Sequence, residues 1–375
     1  MKRFFVVLAF LVVGLLFLSF FLGSFLIGRE SSVKNFYVGV TFCGDTTAQA
    51  KLLIDRVKSY TNLFVVDSGP ASKNETMLNE ICNYAIGSGL NLLVYFGKFD
   101  LSWQLPWLDA AKERWGDKFQ GVYFFDEPAG SLLDNGTDPF IAANSPKNYD
   151  DMANLFIHAW GTMPELPWLR GLEHPSPIFT SDYALYWFDY RAGFDVVLSQ
   201  FGWNHIRAQD IGLIRGAAKV QGKAWGAIMT WTYDSPPYLE NGTALYDDMV
   251  SAYEAGARYV VIFNGPQVGD YGIMTDEHFS ALERFWNGLQ HGTYSVQSSA
   301  ENVLVLPRNY GWGMRNPNDT IWGLWGPDEK SPQIWNISRT LLARYGTQLD
   351  IVYEDANFTL TDKYSNVYYW NSTLS

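Results

Sequence analysis

The stretch Gly121, Val122, Tyr123, Phe124, Phe125, Asp126, Glu127, Pro128 runs an aromatic, β-branched segment directly into two adjacent carboxylates. Neighbouring carboxyls in apolar surroundings resist ionising together, so one keeps a proton to higher pH while the other carries charge. That division of labour is what general acid/base catalysis needs. The bland alternative is that Asp126 and Glu127 cap the loop that follows.

Other polar groups occupy comparable places at the ends of apolar runs. Asp234 and Glu240 follow the run 224–232, and either could supply a second carboxylate opposite Glu127, Asp234 being preferred. Ser199, Gln200, Phe201, Gly202, Trp203, Asn204 and His205 bring amides, an indole and an imidazole together. Gln200 and Asn204 suit hydrogen bonds to a ligand hydroxyl, whereas His205 reads more readily as a polar residue at a helix start. Asp67 and Asn264 also end strands, while Asp45 better fits a helix N-cap. Trp103, Trp107, Trp203, Trp231, Tyr233 and Tyr238 lie at or beyond the ends of apolar runs, where aromatic faces can pack on the C–H faces of a ligand. Most other aromatics belong to packing.

Several chemistries find no support. The five histidines show no HExxH or H-x-x-x-H spacing, and there is no C-x-x-C, so no metal site or cofactor is expected. The run from Asp134 to Asp138 has calcium-like composition but lacks an EF-hand's closing glutamate, and reads as a glycan-bearing turn. No G-x-S-x-G elbow exists, and neither cysteine has a neighbouring histidine. Cys43 and Cys82 could form one disulfide at most, and the positions expected for them, inside a barrel mouth and outside on a helix, argue against it.

The elements that must position these groups alternate. Apolar strands are expected at 36–42, 63–67, 91–96, 121–126, 177–181, 195–200, 224–232 and 257–264, with helix-period segments between them. Leu53, Ile54, Val57 and Tyr60 form one such stripe; Phe279, Leu282, Phe285, Trp286 and Leu289 form another. Eight strand–helix units over 36–292 match the length of about 250 residues of an α/β (β/α)₈ TIM barrel. A doubly wound open sheet is the alternative, although no phosphate-binding glycine motif supports it. Residues 129–150 read as a long insertion after strand four, on the catalytic face. A small C-terminal α/β domain is expected over 300–375, with strands at 303–306, 349–353 and 366–370 and a helix capped by Ser331 ahead of Pro332.

With the strands in place, the chain resembles the TIM-barrel glycoside hydrolases of clan A, in which strand four ends Asn-Glu-Pro and the glutamate is the general acid/base. Here the tripeptide is Asp126, Glu127, Pro128, so the resemblance carries that role to Glu127 alone. It covers 36–292 by architecture and only this tripeptide by motif. The clan's nucleophile is a glutamate ending strand seven, and residues 224–234 contain none. Carboxyls about 5–5.5 Å apart would imply retention of configuration, and about 6.5–9.5 Å inversion.

Composition completes the expectation. The chain of 375 residues has 47% hydrophobic and 17% aromatic content, and its net charge of -12 lacks the basic footprint nucleic acid needs. After Lys2 and Arg3, residues 4–27 are unbroken apolar. About 24 residues at 1.5 Å each reach roughly 36 Å, enough for a hydrocarbon layer about 30 Å thick. This is longer than a signal peptide's apolar core. The flanking charges predict a signal anchor over 1–30 with a cytoplasmic N-terminus, a tether over 31–35 and the remainder outside the cell. Sequons at Asn74, Asn135, Asn241, Asn318, Asn336, Asn357 and Asn371 agree. The expectation is a membrane-anchored glycoside hydrolase-like protein acting on polysaccharide or glycan. The alternative is a non-catalytic carbohydrate-binding or cell-envelope protein on a degenerate barrel.

Overall fold

The computed structural model describes residues 35–135, 139–297 and 299–373. The apolar run 4–27 lies outside the described residues, and among the described residues no helix is long and apolar enough to cross a membrane. The core is a closed barrel of eight parallel strands: β1 Tyr37–Phe42, β2 Leu63–Val66, β3 Asn91–Phe96, β4 Phe119–Phe124, β5 Ile178–Asp182, β6 Val196–Phe201, β7 Ala224–Met229 and β8 Tyr259–Ile262. Pairing of β1 with both β2 and β8 closes the ring and removes the open-sheet alternative.

Strands buried on both faces must be apolar almost throughout. Alternate residues accordingly divide between two cores. Val65, Leu93, Tyr123, Phe179, Leu198, Ile228, Tyr259 and Val261 fill the barrel. Val38, Val40, Phe64, Val66, Leu92 and Val197 face the helices. The outer layer comprises α1 Thr47–Val57, α2 Glu75–Gly87, α3 Gln104–Trp115, α4 Tyr149–Thr162, α5 Tyr186–Ala192, α6 Arg207–Gln221, α7 Gly242–Glu254 and α8 Asp276–Gln290. Helix α1 starts at a Thr46/Gln49 capping box, so Thr46 rather than Asp45 is its N-cap. Helix α8 buries Phe279, Leu282, Phe285 and Leu289, with Trp286 at the edge of that stripe. Both cysteines are free: Cys43 follows β1 at the mouth, and Cys82 is buried on α2.

The polar insertion after β4 folds into short helices at Gly130–Asn135 and Pro139–Asn144 ahead of α4. Beyond the barrel, β9 Asn302–Leu306 lies between β10 Leu349–Tyr353 and β11 Asn366–Tyr369 in a parallel sheet, with α9 Ser331–Tyr345 in the crossover. Lys330, not Ser331, is the N-cap of α9. The Ser331 hydroxyl is engaged instead by the Tyr310 hydroxyl and the Asp328 N–H. The small sheet packs on α6 through Gly212 and Gly216, where an added Cβ would stand 2.7 Å from the Leu349 carbonyl oxygen and 2.9 Å from that of Ile351. Only a residue without a side chain allows that approach.

Candidate active site

The C-terminal ends of the barrel strands converge on a cluster of carboxyl, hydroxyl and amide groups. Strand alternation would send Phe125 inward after Tyr123, but the backbone intervenes. Phe125 and Glu127 adopt φ of 62° and 55°, the left-handed region that side chains other than glycine's disfavour. The turn sends the Phe125 ring outward onto Trp160, with centroids 4.5 Å apart, and gives Asp126 the inward place. Strand β4 therefore ends at Phe124, short of the expected Asp126. Non-glycine residues held this way cost about 1–3 kcal/mol each and concentrate at functional sites.

Asp126 Oδ1 accepts from the Tyr123 hydroxyl at 2.7 Å and from the Ser181 hydroxyl in a short contact. The Glu127 N–H donates to the Ser181 carbonyl at 2.8 Å, fastening the turn to β5. From β6, buried Gln200 donates through Nε2 to Glu127 Oε1 at 2.8 Å and to Ser181 Oγ at 3.0 Å. Three consecutive strands are thus tied through two carboxyls. Asp67, at the end of β2, accepts a long 3.9 Å contact from the Cys43 thiol.

Electrostatics follow from this crowding. Protein walls around Asp126 raise its carboxyl above the usual range even though solvent reaches it from the open mouth, while the bonds from Ser181 and Tyr123 oppose the rise. Glu127 is raised by burial and then by the Asp126 charge. Asp67 is pushed up to about 7, by burial first and Asp126 second. Burial also drives the Cys43 thiol upward, so it stays neutral. The site accordingly holds three carboxyls raised above their ordinary range, of which Asp126 accepts two hydroxyl bonds that favour its ionised form.

The remaining residues expected at the site fall into separate groups. Trp231, Tyr238 and Trp203 form an aromatic shelf: Trp231 lies 5.3 Å from Tyr238, 6.5 Å from Trp203 and 6.3 Å from the barrel-lining Phe263. Trp203 is 40% exposed and Tyr233 48%, so both have free faces. Asn204 is exposed beside Trp203, and both have positive φ. His205 packs near the Tyr183 ring, and burial with Arg207 and Arg315 nearby lowers it to about 4, leaving it neutral. Asn264 is buried and bonds the Tyr271 carbonyl and the Met274 N–H, bracing the loop after β8. Trp103 turns toward the helix layer against Phe96, and Trp107 is buried there with its indole N–H on Asn79. Asp234 is exposed and makes no hydrogen bond or ion pair among the described residues. Glu240 pairs with Arg207 at 2.9 Å and accepts from Thr232.

Other groups that shape the mouth were not singled out from sequence. Tyr123 and Ser181 sit at inward positions of strands, a place that alternation marks. Arg315, from the loop between β9 and α9, bonds Asp134 at 2.6 Å and forks onto Asp319. Asp134 also accepts from the Tyr183 hydroxyl at 2.6 Å; it belongs to the short helix Gly130–Asn135, so the segment expected as a glycan-bearing turn starts out helical. Asp182 is fully buried and holds the N–H groups of Ala129, Gly130 and Tyr183, fixing the start of the insertion beside Glu127.

No family model and no curated protein matches the chain. Among solved structures, alpha-L-fucosidase isoenzyme 2 from Paenibacillus thiaminolyticus aligns with a TM-score of 0.51 and 12% identity, covering 85% of this chain and 58% of that one. A beta-glucosidase from Thermotoga maritima aligns at 0.41 and 10% identity, over 70% of this chain and 99% of that one. A xylanase from Cellvibrio japonicus gives 0.41 and 11%, over 68% and 99%. This chain spans little more than half of the fucosidase, and at such identity the likeness concerns the fold alone. In fold, the chain is similar to that fucosidase structure, and its own architecture is a closed barrel of eight parallel strands.

Proposed function

We propose that the protein is a glycoside hydrolase acting on polysaccharide or glycan, held at the outer face of a membrane by residues 4–27. Glu127 donates the proton to the leaving oxygen, because burial and the Asp126 charge keep its carboxyl protonated to higher pH. Asp126 is the charged partner that meets the oxocarbenium-like centre, a role favoured over Asp234 because Tyr123 and Ser181 both donate to it. Asp67, raised by burial and by the Asp126 charge, keeps its proton and leaves the negative charge to Asp126. The aromatic shelf of Trp203, Trp231 and Tyr238 stacks the sugar, with Tyr233 and Asn204 at its edge.

The observation that carries this reading is the left-handed turn at Phe125 and Glu127, which brings two adjacent carboxyls into one barrel mouth with Gln200 bonded to the second. The test is a chromogenic-glycoside and glycan-array screen of the full chain in detergent. Hydrolysis that falls about 10²–10⁴-fold in Glu127→Gln supports the assignment; hydrolysis untouched by that change would sink it. A second reading, a carbohydrate-binding protein without catalysis, draws on the place of Asp234 in an exposed loop and the pairing of Glu240 with Arg207. Glycan binding without turnover, lost in Trp231→Ala, would favour it.

A further inference from the structure

Three metal-ligating side chains meet away from the barrel mouth. Asp109 stands on α3, and Glu173 with His174 on the loop leading into β5; one ligand atom from each lies within 4.8 Å of the others. The main chain draws them together, since the His174 N–H donates to Asp109 Oδ1 at 2.6 Å. His174 Nδ1 lies 3.4 Å from that same oxygen. It makes no hydrogen bond, and solvent does not reach it.

Two carboxylates and an unsatisfied imidazole nitrogen form an incomplete arrangement. Among the described residues no lysine or arginine pairs with Asp109 or Glu173. Lys112, one helical turn along α3, is directed instead to the Gly116 carbonyl at 3.1 Å and toward Asp117. A divalent cation would neutralise the carboxylates and engage the imidazole lone pair in one step. Ligand atoms around a tetrahedral zinc are separated by about 3.3 Å, given bonds near 2.0–2.1 Å. Asp109 and His174 already stand 3.4 Å apart, and the exposed Glu173 side chain can swing to that separation.

We propose that Asp109, Glu173 and His174 bind one divalent ion of the zinc class, with water completing its shell. The imidazole selects against magnesium and calcium, which prefer oxygen throughout. Bound there, the ion would staple α3 to the segment that feeds β5. It lies outside the carboxylate cluster at the mouth and does not depend on the activity proposed above.

The experiment is calorimetric titration of the full chain, in detergent and stripped with chelator, using Zn(II), with Mg(II) as the hard-cation control. One Zn(II) per chain, a rise in melting temperature on binding and no Mg(II) response are expected. His174→Ala and the exposed-site variant Glu173→Gln should each weaken binding about tenfold or more, since even outer-shell changes at zinc sites cost about that much. Co(II) should give the intense visible absorption of a low-coordinate site, reduced in both variants. Absence of saturable Zn(II) binding, or binding equal in wild type and both variants whose circular dichroism is native, would overturn the proposal.

Discussion

At the scale of single residues, the site is a problem in distributing protons. Asp126 and Glu127 adjoin in sequence, so their pairing was legible before any fold was known. The partnership of Asp126 with Asp67 was not, because it depends on two strand ends meeting across the mouth. Asp67 has its carboxyl at about 7 in the folded chain against 3.8 for a free side chain. A carboxyl raised on folding contributes stability below its unfolded value and loses it as pH rises through the folded one. Relative to wild type, Asp67→Asn should therefore gain thermal stability as pH is taken from about 4 to above 7, with little difference at the acid end; melting curves across that range check it. Because Asp67 and Asp126 repel when both are ionised, the same change should move the pH profile of hydrolysis above about pH 7. Gln200→Leu removes the donor on Glu127 and should raise that carboxyl further, shifting the basic limb of the profile upward.

At the scale of elements, alternation of apolar residues and helix stripes predicted every barrel strand, because a buried parallel strand has few other ways to be written. Strand ends were less legible. The positive φ at Phe125 and Glu127 breaks β4 two residues early, and nothing in their side-chain types announces it. The packing of β10 on α6 offers a quantitative check. Arg215 and Asp350 form a 2.7 Å ion pair with Asp350 fully buried, joined by the Tyr364 hydroxyl at 2.9 Å. Arg215→Met should lower stability by about 3–5 kcal/mol, because a buried carboxylate is left without its counter-charge. Changing Asp350→Leu as well should recover much of that loss in denaturant unfolding. Gly216→Val should cost about 1–3 kcal/mol through overpacking against β10.

At the scale of the whole molecule, residues 300–373 join the core between the barrel strands and their helices. Val303, Leu304, Trp312, Trp322 and Ile351 belong to the same continuous cluster as the residues beneath the barrel helices, and Trp322 lies 4.5 Å from Phe188 on α5. Removing 300–375 should expose this surface and give aggregated protein, as gel filtration and circular dichroism would show. The anchor proposed over 4–27 predicts that the sequon-bearing chain is digested by protease added outside intact cells while the N-terminus is protected. The sequence by itself determined the alternating units, the apolar run and the adjacent pair Asp126 and Glu127, since each is a local pattern set by periodicity or by neighbouring residues. The tertiary structure alone decided barrel closure, the place of Asp67 beside Asp126, the reach of Arg315 to Asp134 and the meeting of Asp109 with Glu173 and His174. Those contacts join segments far apart along the chain, and pairing register and helix packing, not local residue type, determine which side chains meet.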